Sequence, residues 1–153
     1  YSTGRPVDKD NNVFWSHYSD SEKTPLYPFG YGLSYTTFQY SDLKINKNSF
    51  KKGEKVEVSI TLKNTGKYEG KEVAQCYIHD AFASVARPVK ELKAFELVNL
   101  KPGETKVVQF TLTDKELGFY NNNGDFIVEP GKFKIMVGGN SVDLLSTEFN
   151  LVD

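Results

Sequence analysis

The 153-residue chain has one cysteine, Cys76, one methionine, one tryptophan and two histidines. A single thiol closes no intramolecular disulfide, and no Cys/His spacing suits zinc or an iron–sulfur cluster, so no metal and no cofactor is expected. No apolar run approaches the roughly 18–20 residues that cross a bilayer as a helix, which leaves a membrane out of the expected partners. Charge of one sign is lacking too: 19 Lys and Arg stand against 20 Asp and Glu, a net −1 without a block of like charges. Nucleic acid is therefore not an expected partner, because nothing forms a basic stripe against phosphates. A chain of this length makes about one domain, which must stand on its apolar core. It opens on Tyr1-Ser2-Thr3-Gly4-Arg5-Pro6, with neither an initiator Met nor a signal peptide, and reads as the middle of something longer.

What the chain does have is aromatic residues, 14% of the total, and turn formers at short intervals, a balance that favours strands. Residues 1–35 hold eight aromatics (Tyr1, Phe14, Trp15, Tyr18, Tyr27, Phe29, Tyr31, Tyr35) but only four aliphatics (Val7, Val13, Leu26, Leu33). Neither a two-residue nor a 3.6-residue period organises them, so they share no single buried face and are expected to pack on something else. From Phe38 onward, short runs alternate with turn signals. Val56, Val58, Ile60 and Leu62 alternate with polar neighbours, as do Val108, Phe110 and Leu112, then Phe133, Ile135 and Val137, and all but Val108 are assigned to an inward face. Ala74, Cys76 and Ile78 form an apolar face opposite a mixed one of Val73, Gln75, Tyr77 and His79. Lys101-Pro102-Gly103-Glu104 reads as a tight turn, Thr113 to Leu117 as one capped helical turn with Glu116 closing a capping box, and Asn121-Asn122-Asn123-Gly124-Asp125 as a hairpin turn with Asn-Gly at positive φ. The expected fold class is all-β: an immunoglobulin or fibronectin type III-like antiparallel β-sandwich of seven to eight strands.

Catalytic patterns are weak. His79, Asp80 and Ser84 have the residue types of a triad, but strand neighbours point to opposite faces and no Gly-x-Ser-x-Gly elbow presents Ser84. Cys76 runs in phase with Ala74 and Ile78 as a core residue. His17 has no partner spacing. Asp8-Lys9-Asp10-Asn11-Asn12 begins like a calcium loop, but Val13 replaces the required Gly and Ser19 the bidentate Glu. Arg87-Pro88, with Asp80 at the other end of the segment, predicts an ordered crossover between sheets.

The string Pro25-Leu26-Tyr27-Pro28-Phe29-Gly30-Tyr31-Gly32-Leu33-Ser34-Tyr35-Thr36-Thr37-Phe38 resembles the junction before the C-terminal fibronectin type III-like domain of glycoside hydrolase family three enzymes, the β-glucosidase and β-xylosidase family. The segments GKEVAQCYIHD from Gly70, ASVARPVKELKAF from Ala83 and LKPGET from Leu100 are similar as well; Cys76 stands where a larger aliphatic is expected and Ala94 where Gly is common. The resemblance implies that residues 1–35 are the tail of an upstream α/β sandwich domain with an aromatic linker, and 36–153 the accessory domain. It implies a retaining β-glucosidase parent, periplasmic or secreted, whose catalytic Asp and Glu lie upstream; no catalytic residue falls in this chain. The catalytic domains of the same parent chain are the expected partners, docked through Tyr27, Phe29, Tyr31 and Tyr35. Two consequences are open for the chain alone: those four rings fold back across the sandwich, or they drive self-association. A carbohydrate-binding module using Trp15, Tyr31, Tyr77, Phe82 or Tyr120 is the alternative, and a free-standing hydrolase would need two suitably spaced carboxylates.

Overall fold

The computed structural model describes residues 25–153. The expectations placed on His17, Trp15 and the calcium-like loop at Asp8 to Asn12 lie outside the described residues. Ten strands and one helical turn follow in order: β1 (Phe38–Ile45), β2 (Ser49–Lys51), β3 (Val56–Asn64), β4 (Gly70–Asp80), β5 (Glu91–Leu100), β6 (Thr105–Leu112), α1 (Asp114–Leu117), β7 (Phe119–Tyr120), β8 (Phe126–Ile127), β9 (Gly131–Gly138) and β10 (Leu145–Val152). Seven of the strands run eight residues or more; β2, β7 and β8 are two or three residues long and account for the excess over the expected count. A three-stranded sheet, β1-β3-β6, faces a five-stranded sheet, β2-β10-β9-β4-β5, with β7-β8 as a separate small hairpin. All long strands pair antiparallel, and only β2 lies parallel, to β10.

The period-two pattern built this sandwich. Val56, Val58, Ile60, Leu62, Phe110, Leu112, Phe133, Ile135 and Val137 are all buried, while Glu57 is exposed. Slipping β3 by one residue would turn that whole apolar set to water. At one end the core is aromatic: Phe149 stacks on Phe133 and meets Phe50 edge-on, each with centroids 5.3 Å apart. Tyr40 of β1 donates to Glu72 of β4 across the two sheets at 2.9 Å. Burial raises the Tyr40 hydroxyl well above its ordinary range, and Glu72 beside it adds to the shift.

The turns follow their residues, with two corrections. Gly103 takes a positive φ of 75° while Glu104 N–H bonds back to Lys101, as Pro-Gly at the centre of a turn requires. Thr113 caps α1 in a full capping box with Glu116. In the 121–125 hairpin, however, only Gly124 has positive φ, 84°. Asn121 Oδ1 accepts from the N–H groups of Asn123 and Asp125, so Asn121 folds the loop from its side and Asn123 keeps an ordinary backbone. The second correction concerns residues 81–90: β4 and β5 are antiparallel neighbours in one sheet, so the segment joins strands of that sheet and is not a crossover. Its side chains tie it to the strands on either side. Arg87, its side chain 7% exposed, bonds Glu91 at 2.6 Å, lies 3.8 Å from Asp80 and stacks over the Phe119 ring at 4.7 Å.

Candidate docking interface

Three residues on the outer face of the five-stranded sheet are buried where a plain sandwich would leave them wet: Gln75 at 4%, Tyr77 at 3% and Met136 at 6% exposure. Residues 28–31 account for Gln75. Tyr31 N–H closes a turn onto the Pro28 carbonyl, and Gly30 sits inside it at φ +81°. A Cβ on Gly30 would stand 2.4 Å from the Gln75 amide, so this turn lies directly on β4. Only glycine meets both the backbone angle and the closeness. Gln75 donates to the Gly139 carbonyl at 2.6 Å and accepts from the Tyr77 hydroxyl. The Phe29 carbonyl accepts from Ser141 N–H at 2.9 Å, and Lys90 Nζ reaches the Ser141 carbonyl. The β9–β10 loop, folded by Asn140 Oδ1 accepting from Val142 and Asp143, is thus clamped between linker and sheet.

A second anchor lies where the linker becomes β1. Thr36 Oγ1 donates to Asn64 Oδ1 at 2.6 Å, and Asn64, fully buried, spends its amide protons on the carbonyls of Tyr68 and Leu100. Thr65 N–H bonds the Thr37 carbonyl at 2.8 Å. A Cβ on Gly66 would stand 2.2 Å from the Thr36 hydroxyl, so the linker passes as close here as at Gly30.

Backbone and small residues hold the linker; its large side chains point away. Leu33 and Tyr35 are 91% and 96% exposed, Leu26, Tyr27 and Phe29 mostly exposed, and Tyr31 about half. Tyr27 and Tyr31 pack on each other, with centroids 5.3 Å apart and planes tilted by 31°. The expectation that Tyr27, Phe29, Tyr31 and Tyr35 fold back by burying their rings is therefore corrected: the segment does fold back, but through Gly30 and the Phe29 carbonyl. Sequence reasoning missed Gln75, Ser141 and Asn64 as linker anchors. A Gln on the mixed face of β4, between Val73 and Tyr77, was the one signal available.

The residues considered for chemistry stay apart. Asp80 accepts from Phe82 N–H and faces Arg87, and Ser84 N–H binds Glu129; His79 bonds neither of the two. Burial pushes the Asp80 carboxyl above its ordinary range against the pull of Phe82 N–H and Arg87. Burial pushes the Cys76 thiol up to about 12, which leaves it an inert core atom. A shallow cleft lined by Ile45, Asn46, Glu57, Val58, Ser59 and Gln109 holds one carboxylate, half of what glycoside cleavage needs. Of the rings considered for sugar stacking, Tyr77 is buried, while Tyr31, Phe82 and Tyr120 are accessible in three different segments. Among the described residues, no group of three or more His, Cys, Asp or Glu could hold a metal ion.

Residues 72–141 match the family model of the fibronectin type III-like domain. The chain is 44% identical over 99% of its length to a periplasmic β-glucosidase of Salmonella typhimurium, and 48% identical over 85% to a putative β-xylosidase of Formosa agariphila. It covers 20% and 17% of those proteins, so it spans about a fifth of the length of the relatives it matches. Among solved structures, the β-glucosidase of Listeria innocua in complex with glucose superposes with a TM-score of 0.88 at 42% identity, covering 99% of this chain and 21% of that one. A β-glucosidase of Erythrobacter marinus gives 0.85 at 44% identity, covering 88% and 18%. The sandwich topology and these matches show that the chain carries a fibronectin type III-like domain and, over almost its whole length, is similar to the corresponding part of β-glucosidases of glycoside hydrolase family three.

Proposed function

We propose that this chain is the C-terminal accessory part of a β-glucosidase-type glycoside hydrolase, in which residues 1–35 are the tail of the preceding domain with its linker and residues 36–153 the accessory domain. Its work is mechanical. The linker is fixed to the sandwich at Gly30 and Thr36, so side chains carried between and before those points move with the domain. Tyr27, Phe29, Tyr31 and Tyr35 then serve as a rigid set of rings that insert into the catalytic domains and set their position relative to the sandwich. The observation that carries this reading is the reversal of roles in the linker, with backbone bound and rings presented. Each ring buried is worth about 1.5–3 kcal/mol, so several together hold two domains firmly.

The parent enzyme would hydrolyse terminal β-linked sugars with both catalytic carboxylates upstream, and the name of the Salmonella relative supports a periplasmic or secreted setting. Among the described residues no helix is long and apolar enough to cross a membrane. Exposed Tyr27 and Tyr31, close together, favour one further reading, a sugar-stacking surface. A polysaccharide pull-down of the chain tests it, and docking predicts no retention.

The test of the docking reading uses the longer enzyme. Replacing Tyr27 and Phe29 by Ser should split its thermal unfolding into two transitions, with the sandwich melting apart from the rest. A single unchanged transition would reject docking through these rings.

A further inference from the structure

The five-stranded sheet has two unlike halves on its outer face. On β9 and β10 most outward positions are polar, Lys132, Lys134, Ser146, Glu148 and Asn150, with Met136 buried beside Tyr77, and Lys132 and Glu148 pair at 2.6 Å. On β4 and β5 an apolar patch surrounds Gln75: Val73 pairs with Leu97, Gln75 with Phe95, and Tyr77 with Leu92 across the ladder, and the polar pair Lys71 and Asn99 bounds it at one end. Phe95 and Leu97 are 69% and 59% exposed. β5 is also an edge strand ten residues long; Glu91, Lys93 and Glu96 mark its charged positions, and Phe95 and Leu97 are the large apolar side chains it leaves exposed.

The patch is continuous with the seated linker, because Gln75, the cross-strand partner of Phe95, is the residue on which Gly30 rests. Twenty-four further residues precede Pro25 in the sequence, and the first described turn, residues 28–31, lies on this face. Interfaces between domains bury about 600–1,500 Å². Four linker rings at about 150–250 Å² each reach the lower part of that range, and a β4–β5 patch would carry the contact into its middle.

We infer that Val73, Phe95 and Leu97 form the second half of the docking surface, occupied by the body to which residues 1–24 lead. The inference rests on the docking reading above and extends it from the linker to the sheet. The occupant presents an uncharged apolar surface to this patch, because an unpaired charge set against Phe95 and Leu97 would be desolvated without a partner.

Amide exchange tests it. In the longer enzyme, the F95S/L97S double variant should speed exchange in residues 73–75 and 95–98 by about tenfold, the change expected from losing one well-buried apolar side chain. The same variant of the 153-residue chain should melt as the parent chain does, since both side chains are exposed there. If the Tyr27 and Phe29 double variant loosens the domain but F95S/L97S changes nothing, the sheet patch is rejected and linker docking stands. If neither variant has an effect, both readings fall. If the 153-residue chain forms a concentration-dependent dimer in sedimentation that F95S/L97S abolishes, the occupant is a second copy and the inference is overturned.

Discussion

The core of the sandwich and the linker are both rich in apolar side chains, yet they are held by opposite means. In β3, β6 and β9 the side chains interlock and the backbone forms ladders that any sequence could form. At residues 28–37 the attachment is made by a glycine, two carbonyls and a threonine hydroxyl, while Leu33 and Tyr35 stand almost wholly in water. A core excludes water on its own account. A linker that fixes its backbone and presents its rings is suited to excluding water with a second surface.

Four changes would break or sharpen that contrast. The largest effect is expected in the core: Phe149→Ala removes a ring that contacts both Phe50 and Phe133, and should cost about 3–5 kcal/mol in denaturant unfolding of the whole domain. Gly30→Ala should act locally, costing about 1–2 kcal/mol for a left-handed alanine. It should release the Ser141 amide to fast exchange while the melting temperature of the sandwich stays nearly constant. If Gly30→Ala instead unfolded the domain, linker and core would be one unit.

A third test concerns the charged support of residues 81–90. Burial raises the Glu91 carboxyl, but the hydrogen bonds from Lys93 and Arg87 outweigh it and hold the group below its ordinary range. The folded state therefore binds its proton less readily than the unfolded chain, so the contribution is complete above the unfolded value of about 4.3 and is lost as pH falls through the lower folded one. Glu91→Gln should flatten the acid limb of the stability profile and leave the shape above pH 6 unchanged; an unaltered limb would reject the assignment. The smallest effect belongs to Leu33→Ser with Tyr35→Ser. In this chain alone the pair should shift unfolding by no more than about 0.5 kcal/mol, because neither side chain leaves water on folding.

Much of the sandwich was legible because its signals are local. A strand with one face inside repeats every two residues, so Val56 to Leu62 and Phe133 to Val137 declared their inward faces, and Thr113 with Glu116 spelled a cap. The linker was legible as an anomaly, since eight rings without a period have no fold of their own. How it attaches was not legible, because Gly30 and Gln75 lie 45 residues apart and neither residue type names the other.

The amino-acid sequence by itself determined the class of fold, the register of the core strands and, through the junction string, the family. Each of these depends on residues within a few positions of one another, where sterics and solvent act alike in any context. Only the tertiary structure decided that the 81–90 segment stays within one sheet, that Gln75 and Tyr77 are covered, that Arg87 is buried between Asp80, Glu91 and Phe119, and that the linker turns its rings outward. Those outcomes depend on which distant segment arrives at a given face, and that is set by the packing of the whole chain against water.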